Sequence, residues 1–200
     1  RNLTYVKIIP MLSNPGLPLK KSDLSAKQLE ILLKVEDPTF FSHNGIDLGT
    51  PGAGITTLTQ GLVKLLYFDT FKPGIAKIKQ TLIAVYALNA LVTKDEQLQL
   101  YLNLAYFGID ENKQPILGFS RASQAFFKME LSRLSEDQFI SLVAVLIAPA
   151  IFSPLKNNGM NADRAGKIRK LLSGEYVPKG LFDVYYGKIP KEFQKDLALV

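Results

Sequence analysis

The chain has no cysteine and a single histidine. Without thiols it can form neither a disulfide nor a thiolate metal site, a composition that suits an exported bacterial protein as well as a cytosolic one. One histidine excludes a multi-histidine zinc centre, and any histidine-dependent triad would have to use His43. Long apolar runs are missing too. The longest, Phe139 to Phe152, contains Ser141 and Pro149 and falls short of the roughly twenty residues a helix needs to cross a bilayer. Dense basic runs are also absent: none exceeds two residues, as at Lys20-Lys21, and no aromatic-interleaved RNA-binding strand occurs, so nucleic acid is not an expected partner.

What is present is enough for one cored domain, or one domain with a small extra lobe: 200 residues, 47% of them hydrophobic. A net charge of +6 and a pI near 9.4 favour an anionic partner such as an acidic membrane surface or a phosphorylated substrate. The chain starts at Arg1 rather than methionine, which leaves room for an upstream anchor or signal. Leu3 to Ile9 reads as a short strand or extended arm, and residues 10–21, rich in proline, as loop. Helical periodicity then takes over. Ser25 and Gln28 have capping-box spacing ahead of Leu29, Leu32 and Leu33. Leu58, Leu62, Leu65 and Leu66 share one helical face, and Ile78, Leu82, Val85 and Leu88 form the inward stripe expected of a helix from about Pro73 to Val92. Thr93-Glu96 and Ser135-Gln138 mark two further helix starts. Helices are expected over 118–128 and from Asn161 through Leu172, closed by Gly174. Residues 108–116 read as a polar loop, and no sheet is expected. The expected organisation is an arm over 1–24, a catalytic domain over 25–175 and an irregular tail over 176–200.

Chemistry concentrates between Val35 and Asp47, where Glu36, Asp37, Phe40, His43 and Gly45 crowd together just past an apolar run. A scaffold can hold an acid firmly there and partly desolvate it, which raises its pKa and makes it a better proton acceptor near neutrality. The adjoining stretch 44–54 holds four glycines and a proline, a long connection of the kind that is usually functional. Beyond it Thr57, Gln60 and Lys64, at spacings of three and four, form one polar stripe beside a helix N-terminus, suited to an oxyanion.

These blocks resemble the signatures of the peptidoglycan glycosyltransferases, glycosyltransferase family 51. Glu36, Asp37, Phe40, His43 and Gly45 fit the first signature, and Gly54 to Lys64 is similar to the second. Lys77 and Gln80, continuing through Leu100-Tyr101-Leu102-Asn103 to Tyr106-Phe107-Gly108, resemble the third. Gly118 to Phe127 with Leu134 to Pro149 resembles the fourth. Asn161 to Leu172, with Arg164 or Arg169 as the basic position, is similar to the fifth. The resemblance implies a mostly α, lysozyme-like fold of two lobes, the smaller one facing a membrane. It also implies polymerisation of lipid II into β-1,4 glycan strands with inversion, in the bacterial periplasm at the inner membrane, held there through an N-terminal anchor. Its partners would be lipid II, the growing glycan strand, the membrane surface and other cell-wall synthesis proteins.

The departures bear on activity. An arginine of the third signature is Ala76, acidic positions are Gln80 and Gln138, Ile55 replaces a glycine and Gly61 a glutamine. A glycosidase needs an acid and a base, but sugar transfer from a lipid pyrophosphate expels an anion already stable at neutral pH. One base therefore suffices. The resemblance assigns that role to Glu36, with Gln80 as the second catalytic position and Asp37, Phe40, His43, Thr57, Gln60, Lys64, Lys77, Lys79 and Arg121 around the substrate. No metal ligands and no cofactor are assigned, with Mg2+ or another divalent cation at the pyrophosphate left open. Bland readings stand beside several of these: Asp37 as a helix-end residue, Phe40 as packing, His43 as a backbone partner for its loop, Lys77 and Lys79 as solvated helix lysines. Tyr67, Phe68 and Phe71 beside Lys64 and Lys72 suit a membrane-interface edge. The alternative function is a non-catalytic relic that binds lipid II or the cell-wall machinery; a lysozyme-type hydrolase is disfavoured for lack of a well-placed second carboxylate.

Overall fold

The computed structural model describes residues 1–72 and 74–188. It is mostly α and lysozyme-like, as the periodicity and the resemblance predict. The principal helices are α1 (Ala26–Glu36), α2 (Leu58–Tyr67), α3 (Ile75–Leu91, π-helical over Ala84–Leu88), α4 (Lys94–Leu104), α5 (Phe119–Phe127), α6 (Glu136–Val145), α7 (Pro149–Phe152) and α8 (Asn158–Ser173). Local chemistry starts four of them. Ser25, Thr57, Thr93 and Ser135 each accept from the backbone N–H three residues on, where Gln28, Gln60, Glu96 and Gln138 return the bond. Each such cap is worth about 1 kcal/mol because it satisfies N–H groups that the helix leaves without partners.

The core forms around α6, whose Phe139, Ile140, Leu142, Val143, Ala144 and Val145 are all buried. A helix apolar on every side has to sit centrally. It packs on α8 and α1, while Phe119 of α5 stacks on Phe139 with centroids 6.1 Å apart. Gly118 lets α5 start hard against α4: it holds φ at 79°, and a Cβ there would lie 2.5 Å from the Asn103 carbonyl oxygen.

Several expectations need correction. Thr4–Ile8 is π-helical and runs into a short α-turn, Ile9–Met11, instead of forming a strand. Thr4 and Ile8 are fully buried, and the Thr4 hydroxyl lies 2.6 Å from the Tyr67 hydroxyl, so tertiary contacts override the β-branched composition. Residues 106–117 are not a plain loop: Tyr106–Ile109 (β1) and Pro115–Leu117 (β2) make a small antiparallel hairpin. Pro149, inside the longest apolar run, opens α7 at its first turn, where a missing N–H costs nothing. Helix α8 begins at Asn158, capped by the Asn157 side chain, rather than at Asn161. Leu65 of α2 is 42% exposed; in α3, Val85 is half-buried and Ile78 and Leu82 face outward, because that helix buries Gln80, Ala84, Ala87 and Leu88 instead. The expected start of that helix, Pro73, and the end of the tail, 189–200, lie outside the described residues.

Candidate active site

Glu36 is the last residue of α1 and lines a cavity of about 190 Å³ together with Tyr101 of α4, Arg164 of α8 and the glycine-rich segment 52–57. The Tyr101 hydroxyl donates to Glu36 Oε2 at 3.2 Å. Burial pushes the Glu36 carboxyl up to about 7, against the pull of the Arg164 charge and of the Tyr101 hydrogen bond. A carboxyl poised there is half ionised at neutral pH and can accept a proton without being a permanently solvated anion.

A second cavity of about 510 Å³ opens beside the first and shares Ile55, Thr56, Gly61, Lys64, Tyr101, Leu146 and Ile147 with it. Lys64 and Lys77 both line it. The Lys77 ammonium donates to Thr56 Oγ1 at 2.7 Å, and the Lys64 ammonium lies over the Phe71 ring, 5.2 Å from its centroid. Burial and the neighbouring Lys64 charge lower the Lys77 pKa. Among the described residues, Glu36 is the one carboxylate lining either cavity. Two ammonium groups crowded together without a counter-acid make a site for an anion. Gln80 also lines the larger cavity: its Nε2 donates to the Gln60 carbonyl at 2.6 Å, while its Oε1 is buried with no hydrogen-bond partner among the described residues. A resident divalent cation does not fit this set. No group of three or more acidic or histidine ligands converges among the described residues, and a metal would face two competing ammonium groups.

The remaining predicted residues divide into a layer behind the cavities and two outliers. Asp37, one residue from Glu36, is only 1% exposed. It accepts from the Leu58 N–H at 2.9 Å and faces His43 Nε2 with both carboxylate oxygens at 3.0 Å. His43 Nδ1 accepts from the Gly45 N–H, which puts the ring proton on Nε2, toward Asp37. Phe40 packs in the core beneath the Lys94 ammonium, which lies 4.5 Å from the ring centroid; burial brings that lysine down to about 8 despite the Asp37 charge. Asp37, Phe40, His43 and Gln60 do not line either cavity. Thr57 does, but its hydroxyl is spent on the Gly45 carbonyl and on capping α2. This layer fixes the start of α2 and the turn after α1. Lys79 is exposed and outside both linings, and Arg121, also exposed, sits 3.9 Å from Asp110.

Three neighbours were not singled out by sequence reasoning, or only weakly. Tyr101 falls within a sequence block that gives it no role. Thr56 carries no signal beyond its helix-start position. Arg164 was one of two candidate basic residues: it is the buried one at the cavity, while Arg169 is a surface partner of Asp137 at 2.7 Å.

Comparison with known proteins gives the chain's family. The chain is 29% identical to penicillin-binding protein 1B of Buchnera aphidicola (subsp. Acyrthosiphon pisum), over 88% of this chain and 25% of that protein. It is likewise 29% identical to penicillin-binding protein 1B of Escherichia coli K12, over 86% of this chain and 22% of that protein. Penicillin-binding protein 1F of Bacillus subtilis is 27% identical, over 79% and 23%. The chain thus spans about a quarter of the length of these relatives. The transglycosylase family model matches residues 13–173, a stretch that includes Glu36, both cavity lysines and Arg164. The chain belongs to the transglycosylases, the peptidoglycan glycosyltransferase family.

Proposed function

We propose that the chain polymerises lipid II into β-1,4 glycan, with Glu36 as general base and residues 25–175 carrying the chemistry. The observation that carries this reading is the joining of the two cavities along a wall that includes Lys64 and Tyr101: a carboxyl held near neutrality lines the smaller, and Lys64 and Lys77 line the larger with no carboxylate beside them. The acceptor sugar's 4-hydroxyl gives its proton to Glu36 as its oxygen bonds to the donor's anomeric carbon. The bond from that carbon to the phosphate oxygen breaks, and the lipid pyrophosphate leaves as an anion stabilised by Lys64 and Lys77. Attack opposite the leaving group inverts the α-linked donor to a β linkage. Tyr101 orients the carboxylate through its hydrogen bond. Gln80 occupies the second catalytic position without a charge; its amide braces α3 against α2 and can neither give up a proton nor neutralise a lysine. No general acid is required, because the leaving group is already stable as an anion.

The substrate's lipid tail requires contact with a bilayer, and in this reading the molecule works at the periplasmic face of the bacterial inner membrane. Ile75, Ile78, Leu82 and Tyr86 form an outward stripe along α3, 52–74% exposed, with Leu3, Tyr5 and Val6 of the N-terminal turn also exposed. The Arg1 guanidinium joins turn and helix by donating to the Tyr86 carbonyl at 2.8 Å. An apolar patch with Lys72 and Lys79 exposed nearby suits an anionic membrane surface. Ile78→Ser with Leu82→Ser should cut co-sedimentation with anionic vesicles several-fold; undiminished binding would rule this face out.

Labelled lipid II tests the chemistry. Glycan chains that disappear in Glu36→Gln, with or without magnesium, are the expected result. Lipid II binding by the unaltered chain without any polymer would instead favour the non-catalytic relic, the reading that Gln80 motivates.

A further inference from the structure

The segment after α8 lies beyond the residues that match the transglycosylase family, yet it builds part of the Glu36 cavity. It is strapped to the glycine-rich segment by two backbone bonds: the Gly52 N–H donates to the Gly180 carbonyl and the Gly54 N–H to the Leu181 carbonyl, both at 2.9 Å. A Cβ on Gly52 would come within 2.7 Å of the Pro178 ring, so the strap and the loop approach as closely as a glycine permits. Val184 then reaches the cavity lining, and Tyr185 and Tyr186, both buried, turn inward beside Arg164.

Arg164 is the odd member of the site. It is 2% exposed, and its Nε and Nη1 have no hydrogen-bond acceptor among the described residues. Its guanidinium carbon lies 4.6 Å from the Tyr186 ring centroid and 5.6 Å from that of Tyr185. A buried cation facing aromatic rings is held by their quadrupoles, an interaction that is strongest where water is excluded. Tyr186 does a second job: its hydroxyl donates at 3.1 Å to the carbonyl of Val35, one of the free acceptors at the end of α1 and the residue immediately before Glu36. It does so from a left-handed backbone conformation, φ 57°, that is uncommon for an aromatic residue and is found where surrounding structure enforces it.

We propose that Tyr186 is a positioning residue, which together with Tyr185 cages the Arg164 guanidinium against Glu36 and thereby sets how readily the general base ionises. The inference rests on Glu36 being that base. The groups facing Glu36 are Arg164 from α8, Tyr101 from α4, Asp37 at the end of its own helix, Lys64 from α2 and Tyr186 from the strap. Of these Arg164 is the charge that acts on Glu36 most strongly, and its guanidinium faces the two rings of the strap. If the ring is lost, the guanidinium is free to swing into solvent, and the Glu36 carboxylate loses its support.

Carboxyl-carbon NMR of glutamate-labelled protein reads the Glu36 titration without any turnover, so this test does not depend on whether the chain polymerises anything. The Glu36 signal is assigned as the one missing in Glu36→Gln. Arg164→Gln should move the Glu36 midpoint upward by about one pH unit or more, as loss of a close opposite charge does. Tyr186→Leu, which keeps a buried apolar side chain but no π face, should move it upward by about half that, and Tyr186→Phe should leave it nearly in place. In the double variant the Tyr186→Leu shift should vanish, because both act through one charge. A downward shift in Tyr186→Leu would mean that the ring acts only by excluding water, and would overturn the proposal. So would additive shifts in the double variant. Should Tyr186→Leu not fold, an unmoved midpoint in Arg164→Gln alone is sufficient refutation. In lipid II turnover, where the wild type is active, the same variants should shift the acid limb of kcat against pH while KM stays within about twofold.

Discussion

Glu36 and Asp37 are neighbours in sequence and opposites in circumstance. Asp37 looks into a closed layer in which every group is matched: His43, the Leu58 N–H, and Lys94 with its Thr59 contact at 3.3 Å. Glu36 looks into the smaller of two adjoining cavities where matching fails. Among the described residues, the buried side-chain atoms without partners are Gln80 Oε1 and Arg164 Nε and Nη1, and both residues line those cavities. A satisfied polar network stabilises a fold, whereas an unsatisfied one is tolerated where a ligand completes it. The difference separates scaffold from site more sharply than residue type does, since both regions contain acids, lysines and hydroxyls.

Removing Glu36 should produce the largest effect and break the comparison most directly. Glu36→Gln should cost about 10³-fold or more in polymerisation, in line with loss of a general base. The same change should stabilise the fold at high pH. The folded carboxyl titrates at about 7 against an ordinary 4.5, so the native state binds its proton more tightly than the unfolded chain. Stability from this group is present below pH 4.5 and is lost as pH rises toward 7. Denaturant melts at pH 8 should therefore find the variant more stable by up to about 3 kcal/mol, and melts at pH 4 should find little difference. Equal gains at both pH values would mean that burial is not what holds the carboxyl up.

Asp37→Ala should do the reverse, destabilising the fold by about 3 kcal/mol by stranding the Leu58 N–H and His43. Urea unfolding would measure it. A near-neutral result, with activity lost, would move Asp37 from scaffold to site. Lys77→Met comes next: with a cation of the larger cavity gone, lipid II KM should rise about tenfold, a loss of roughly 1–2 kcal/mol typical of a charge-assisted contact. Folding should be unaffected, since among the described residues the Lys77 ammonium donates to Thr56 alone.

Much of the scaffold is legible in the sequence because its cause is local. The Ser25-Gln28, Thr93-Glu96 and Ser135-Gln138 pairs start helices through bonds within three residues. Non-local causes are hidden. Residues 75–88 offer apolar side chains on more than one face, and only the neighbours of α3 determine that Ala84 and Leu88 turn inward while Ile78 and Leu82 turn out. The hairpin over 106–117 has strands of four and three residues with an irregular register, too short to carry an alternation. Glu36 and the lysines stand out by spacing. Tyr186 does not: its contact with the Val35 carbonyl spans 151 residues of the chain, and no pattern in either segment announces the other.

The smallest expected effect is the most discriminating for the border of the site. Lys79 and Arg121 have the same residue types as the cavity cations and were grouped with them on sequence grounds, yet both are exposed and neither lines a cavity. Arg121 has a loose surface pairing with Asp110, and such pairs contribute about 0–1 kcal/mol. Lys79→Ala and Arg121→Ala should therefore leave unfolding free energy within about 0.5 kcal/mol and lipid II KM within about twofold. If Arg121→Ala instead raised KM as much as Lys77→Met does, substrate would have to reach the hairpin side of α5. Burial would then be the wrong criterion for telling binding cations from solvating ones in this molecule.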